Sequence, residues 1–533
     1  LEEGKMHKDM EGRGRLFYTL LLPAFFSGLL VLYLRFSSMD IVSSDYIRLI
    51  NSYLPDTMNP DKFFVPDILT RIPISFPLRT INVELFGFSV VFDRLLGLLG
   101  LGLSAIPLAL FSLRARVFVR GSLLPPILCL FFLHFGLNKW ELLLNGSGYA
   151  HFLAFAIFYA HFLLLDRFLR GEEKRGSTAL LFLLPWISLL VAGPYLIVYL
   201  LTLVPAYSFL LLREASRAEK DSSLSEEKGE SAETGKAKPR PSHWMMLLIL
   251  SVLLPLFLYI LSNHFAVYEY SGAEKRTLFS LLREFPSFPI RFTLNGFASM
   301  LLSGESLEEL LLQGELSQSR IYLMGGVTAF SYLFSIWLYL KRGYYRETLF
   351  PALLILHGLG SHAIVLLSRF IFQNPDYAWQ SRYALQYESG ILGILLLCFL
   401  LLRDARGIDS GEEDQSSVGS AFSRKAEKEE RECGGWAAPG RAARCLALLL
   451  PLTFFLGNCY TTVREIRKIP YRRQSYERMT QTAWELESFS DEELQQIFEY
   501  HHGGGRIERA FRILREGKLN VYRALREGQE ERA

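Results

Sequence analysis

The sequence predicts an all-α fold, a polytopic transmembrane bundle of about eleven spans. Interfacial helices are expected in its first external loop, with a small helical external cap at the C-terminus. Three observations carry this expectation. Half of the 533 residues are hydrophobic, and 41 Phe with 25 Tyr raise the aromatic share to 14%. The charged share is 21%, below the roughly one quarter of soluble chains, and it is concentrated between long apolar runs. Those runs are about 20 residues long without alternating polarity, so they satisfy their backbone groups as helices, not as barrel strands.

In chain order, the spans are expected near 16–36, 86–113, 121–137, 149–166, 177–192, 194–212, 244–263, 321–340, 348–371, 388–402 and 444–462. The first run, Leu16 to Phe36, has no small-residue cleavage site and reads as a signal anchor. The fifth and sixth share one run, Thr178 to Leu212, broken at Ala192-Gly193-Pro194. A proline there permits either one kinked span or two.

Lysine and arginine set the orientation. Arg114, Arg116 and Arg120 follow the second span, and Arg167, Arg170, Lys174 and Arg175 follow the fourth. Lys341, Arg342 and Arg346 follow the eighth, and Arg403 and Arg406 the tenth. All become cytoplasmic together with the basic segment 1–15 (Lys5, Lys8, Arg13, Arg15), which leaves the C-terminus external. The transmembrane domain then covers 16–462, with an external loop at 37–85 and an external tail at 463–533. The charged, low-complexity segments 213–243 and 403–443 read as cytoplasmic disordered linkers, too poor in apolar residues to fold. In the tail, Ser490 with Glu493 forms a capping-box pattern, and Ile507, Ala510, Phe511, Leu514 and Leu519 mark a second amphipathic helix.

A net charge of only +3 gives no footprint for nucleic acid. The five cysteines (Cys129, Cys398, Cys433, Cys445, Cys459) show neither a disulfide framework nor paired metal-ligand spacing.

Three external clusters are candidates for chemistry. Asp40 and Asp45 lie just past the first span, followed by Asp56, Asp61 and Asp67, which read as loop solvation. Residues 63–85 are apolar and aromatic but punctuated by Pro66, Pro73 and Pro77, as in helices lying on a bilayer. The second cluster, Asn138 to His151, carries Lys139, Trp140, Glu141, Asn145, Tyr149 and His151 at one membrane face. The third places Arg369 and Arg382 on the external side with Tyr383, Tyr387 and Glu388. External arginine runs against the topology bias, and its planar fork suits phosphate oxygens. His357, His362 and the Asp93-Arg94 pair are embedded ionisable groups. His501-His502 reads as a loop because no further metal ligands are near in sequence.

These features resemble the GT-C glycosyltransferases, membrane enzymes that use polyprenyl-phosphate sugars on the outer or luminal face. The resemblance rests on the cytoplasmic N-terminus, the span count, Asp40 and Asp45 beyond the first span, the interfacial helices and Arg382 near a late span. The Trp140-Glu141-Leu-Leu and Ser381-Arg-Tyr383 segments also look like those of bacterial multispan proteins of similar length. Family members usually show a clearer paired acidic motif in the first loop, whereas Asp40 and Asp45 are five residues apart.

The resemblance implies inverting transfer of a sugar from a polyprenyl-phosphate donor to an external glycan, lipid or protein acceptor, in a bacterial inner membrane. Asp45, with Asp40 second, would be the general base. Arg382, Lys139 and Arg369 would bind the donor phosphate, and Glu141, Asn145, Tyr149, His151, Tyr383 and Glu388 would line the cavity. No cofactor is expected, and a divalent metal stays optional. The competing expectations are a flippase or transporter of lipid-linked glycan and an O-antigen ligase or polymerase.

Overall fold

The computed structural model describes residues 14–59, 73–115, 117, 123–172, 175–228, 242–264, 278–409 and 440–524. Asp61, Pro66, Asp67, Cys433 and most of the expected 403–443 linker lie outside the described residues. Among the described residues there is no strand, and the architecture is an all-α polytopic bundle.

Among these residues, nine helices are long and apolar enough to cross a membrane: Gly14–Ser37, Val90–Arg114, Leu124–Leu144, Gly146–Leu169, Gly193–Arg213, Gln318–Lys341, Phe350–Phe372, Ser381–Ala405 and Arg441–Arg467. Two shorter apolar helices, Gly176–Val191 and Met246–Ser262, occupy the remaining expected positions. The Thr178–Leu212 run is therefore two helices, parted by a single 3-10 turn at Gly193–Tyr195, where Gly193 takes a φ of +52°. The second span begins later than expected. Gly87, at φ +58°, ends the preceding helix, and Ser89 opens the next by accepting from the Phe92 N–H at 3.3 Å.

Helix Leu196–Lys228 continues well into the expected disordered linker. Its last turns are rich in Ala, Glu, Lys and Arg, which favour helix without needing apolar content. The segment 278–317 also holds elements the sequence did not suggest: Leu278–Glu284, Phe288–Ala298 and Gly304–Leu312.

In the span Ser381–Ala405, 94% of the apolar 18-residue stretch is buried, which makes it the helix around which the others pack. Close approach there is set by glycine, as lipid-embedded interfaces require. A Cβ on Gly390 would lie 1.9 Å from the Tyr332 hydroxyl, and one on Gly393 2.6 Å from the Pro351 carbonyl oxygen.

The basic junctions gather at one end of the bundle. Arg114 pairs with Glu172 at 2.5 Å, Asp166 accepts from the Leu349 N–H at 2.7 Å, and Tyr344 donates to Asp404 at 2.6 Å. Arg403 donates to the Ala115 carbonyl at 2.7 Å, and Arg15 shares a hollow with Arg114 and Arg167. The opposite end carries the first loop, the turn at 193–195 and the C-terminal segment, tied by contacts such as Ile74 N–H to Leu190 C=O at 3.1 Å.

At that opposite end a second hydrophobic core forms a cap. Helix α1 (Asp45–Tyr53) lies under α2 (Ile469–Trp484), α3 (Asp491–Ile497) and α4 (Arg506–Glu516). Tyr46, Ile47 and Ile50 of α1 pack with Ile507, Ala510, Phe511 and Leu514 of α4, all buried. The capping box at Ser490 and Glu493 is present in both directions, at 3.3 and 2.9 Å.

Candidate functional site

The two aspartates beyond the first span have opposite environments. Asp40 Oδ1 accepts from the Val90 N–H at 2.7 Å and the Asn520 side chain at 3.5 Å. Its Oδ2 accepts from the Ser89 hydroxyl at 2.9 Å and pairs with Arg523 at 2.8 Å. That carboxylate ties the loop, the start of a span and the C-terminal segment together. Asp45, at the first position of α1, makes no hydrogen bond or ion pair among the described residues and is half-buried. Its electrostatic neighbours are Arg382 and His502.

Arg382 meets Glu141 on the same face. Its guanidinium lies 2.6 Å from Glu141 Oε1, and its own N–H donates to Oε2 at 3.3 Å. Ser381 braces the pair by donating to the Asn138 carbonyl at 2.8 Å and accepting from the Glu141 N–H at 3.2 Å. The Arg382 side chain stays 41% exposed, so the pair is within reach of a solute. Beside it, Arg369 lies over the Tyr383 and Phe372 rings at 5.8 and 5.9 Å. The Tyr383 and Tyr387 hydroxyls, Arg369 Nε and Arg382 Nε are buried without hydrogen-bond partners among the described residues. Two unspent tyrosine hydroxyls beside two guanidiniums, each with an unspent Nε–H, form a surface suited to an oxyanion.

The cap completes this face with residues that sequence reasoning did not place there. Glu499, solvent-accessible and at φ +54°, stands among Glu141, Arg472, His501 and Arg382. Partial desolvation by the surrounding cap pushes its carboxyl up from the ordinary value and Glu141 adds to that, against the opposing cations. His502 is pushed down, by burial first and then by Arg506 and Arg48. Arg472 lies 3.4 Å above the Trp140 ring while paired with Glu465 at 2.6 Å and Glu305 at 2.8 Å. Trp140 is thus part of this network and more than an interfacial anchor.

Other expected site residues are used differently. Lys139 is fully buried, 2.5 Å from Glu388 Oε2 and 2.9 Å from the His134 carbonyl, so the expected phosphate contact is replaced by an internal ion pair. Glu388 is equally enclosed: its Oε1 lies 3.0 Å from His134 Nδ1, and His134 Nε2 lies 2.7 Å from the Ser104 hydroxyl. Tyr149 is buried and donates to Ser75 at 3.0 Å. Asn145 accepts from the Ser147 N–H and hydroxyl at 3.2 and 2.7 Å, a local turn. His151 packs edge-on against Tyr195 at 4.4 Å.

The embedded groups also find partners. Asp93 pairs with Arg79, not Arg94, at 3.0 Å, and accepts from Tyr46 at 2.7 Å and Asn82 at 3.1 Å. Burial opposes the Arg79 charge, but the Asp93 carboxylate outweighs it and holds its pKa above the ordinary value. Arg94 instead donates to the Leu144 and Met39 carbonyls at 2.7 and 2.8 Å. His357 meets Ser389 at 3.0 Å, and His362 stacks on Tyr387 at 3.6 Å.

Among the described residues no group of three His, Cys, Asp or Glu side chains is arranged to hold a metal, and Cys129, Cys398, Cys445 and Cys459 are free. Comparison with protein-family models, curated proteins and solved structures returns no match to this chain.

Proposed function

We propose that this chain is an integral membrane glycosyltransferase that moves a sugar from a polyprenyl-phosphate donor to an acceptor at the cap-bearing face. The basic end lies in the cytoplasm and the cap outside, following the positive-inside bias. The observation that carries the reading is an unpartnered helix-start carboxylate, Asp45, in the electrostatic neighbourhood of the reachable guanidinium of Arg382. A transferase of this class needs a base for the acceptor hydroxyl and a cation for the departing phosphate, both where lipid and water meet.

In this reading Asp45 takes the proton of the acceptor hydroxyl as the sugar carbon–phosphate oxygen bond breaks. Arg382 and Arg369 hold the released phosphate, with the Tyr383 hydroxyl as a further donor. Glu141 keeps Arg382 placed while no donor is bound. Asp40 serves as a structural staple, and Lys139 holds the bundle from inside.

The test is to substitute Asp45, Asp40 and Arg382 singly and follow surface glycan at matched expression. Loss with Asp45→Asn and Arg382→Ala supports the reading, and unchanged glycan in both sinks it. A second reading, a flippase of lipid-linked glycan, draws on the buried Ser104–His134–Glu388–Lys139 chain, since embedded ionisable chains serve proton relays. Donor translocation abolished by Glu388→Gln but untouched by Asp45→Asn would favour it.

A further inference from the structure

The cap contains a hollow of about 590 Å³ that the transferase chemistry does not use. Trp484, Glu485, Glu487, Glu508, Arg512 and Arg515 surround it. Phe511 and Tyr522, both buried, form its floor. Trp484 is 42% exposed, held edge-on against Tyr522 at 4.9 Å, so one indole face is presented instead of packed. Arg515 is positioned by the Trp484 carbonyl at 3.4 Å and lies over the Tyr522 ring at 5.4 Å. Glu485, Glu487, Glu508 and Arg512 make no side-chain hydrogen bond or ion pair among the described residues.

The chemistry of this lining is selective. Three carboxylates against two guanidiniums leave little net field, so neither a polyanion nor a polycation is strongly favoured. An apolar ligand would strip water from these charges without replacing it. A neutral polyhydroxylated ligand fits both halves of the surface. Its C–H faces lie on an exposed indole, and its hydroxyls donate to carboxylates and accept from guanidinium. The volume lies within the range of small-molecule sites, about 300–1,000 Å³.

We infer that this hollow is a binding site for a neutral oligosaccharide, the acceptor glycan of the proposed transfer. The inference rests on that reading for the ligand's role, while the binding itself is independent of it. Because α4 packs directly on α1 and α2 shares the same core, a glycan held here lies on the same face as Asp45.

The experiment is saturation-transfer NMR on the full chain in nanodiscs, with maltotriose, mannotriose and chitotriose as probes and a lysine-rich peptide as competitor. At least one trisaccharide should receive saturation on its ring protons. The signal should vanish in Trp484→Ala, survive in Trp484→Phe, and weaken at least fivefold in Glu487→Gln. Asp45→Asn should bind as the unsubstituted chain does. The inference is overturned if no trisaccharide receives saturation, or if Trp484→Ala and Glu487→Gln both bind normally. It is also overturned if the peptide takes the hollow in preference to all three sugars. The two proposals fail separately. Sugar binding that persists when Asp45→Asn and Arg382→Ala both leave surface glycan unchanged keeps this site and removes the transferase reading. Transfer lost in Asp45→Asn with no sugar bound removes this site alone.

Discussion

Replacing Asp40 by alanine separates the structural aspartate from the chemical one. The change removes the acceptor for the Val90 N–H, a contact of helix-capping type whose loss costs about 1 kcal/mol. It also removes a hydrogen bond from Ser89 to a charged oxygen, in a class that contributes about 1.5–3 kcal/mol. The Arg523 pair adds little, under about 1 kcal/mol, because its guanidinium is 41% exposed and screened by water. Together these give about 2.5–5 kcal/mol of local destabilisation, confined to the contacts that Asp40 joins. Hydrogen exchange on the chain in nanodiscs reads this directly. Amides at 88–92 and 519–523 should exchange about 60- to 4,000-fold faster, while those of the central span 384–405 stay protected. Asp45→Asn should leave all of these amides unchanged. Equal protection in Asp40→Ala, or an Asp45→Asn variant that opens the same segments, would refute the assignment of roles.

Arg79→Met should cost about 3–5 kcal/mol by leaving Asp93 buried and unpaired, read as a drop in apparent melting temperature. The double variant Arg79→Met/Asp93→Leu should recover much of it. Glu141→Gln should tighten binding of polyprenyl phosphate several-fold, as read by native mass spectrometry, because Arg382 is freed from an internal carboxylate. For Glu499 the sign follows from its raised pKa: the folded protein holds this proton more tightly than the unfolded chain. Stability from this group is complete below the ordinary glutamate range and is lost as pH rises through the raised folded value. Glu499→Gln should therefore be the more thermostable protein at pH 8, with the difference closing toward pH 4.

The bundle was legible because hydrocarbon imposes a length and a composition that local sequence must show. The eleven apolar runs, the gathering of Arg114, Arg170, Arg346 and Arg403 at one end, and the Ser490–Glu493 box are all local signals. The short helices of 278–317 gave no such signal, because each is too brief to express a clear period. The difference between Asp40 and Asp45 was not readable either. Arg523 and Asn520, nearly five hundred residues along the chain, decide it. The same holds for Glu499 and His501, which look like loop residues until the cap folds over Arg382. Lys139 was misplaced for the complementary reason. Its neighbours Trp140 and Glu141 face the site, but a 3-10 turn at Leu137–Lys139 directs the ammonium inward to Glu388.

The most direct test of the central claim is turnover by the purified chain in nanodiscs, supplied with polyprenyl-phosphate sugars and an oligosaccharide acceptor. The account predicts release of polyprenyl phosphate and elongation of the acceptor by the unsubstituted chain, at least a hundredfold slower in Asp45→Asn at unchanged donor affinity. Asp45→Asn turning over at the unsubstituted rate would contradict it.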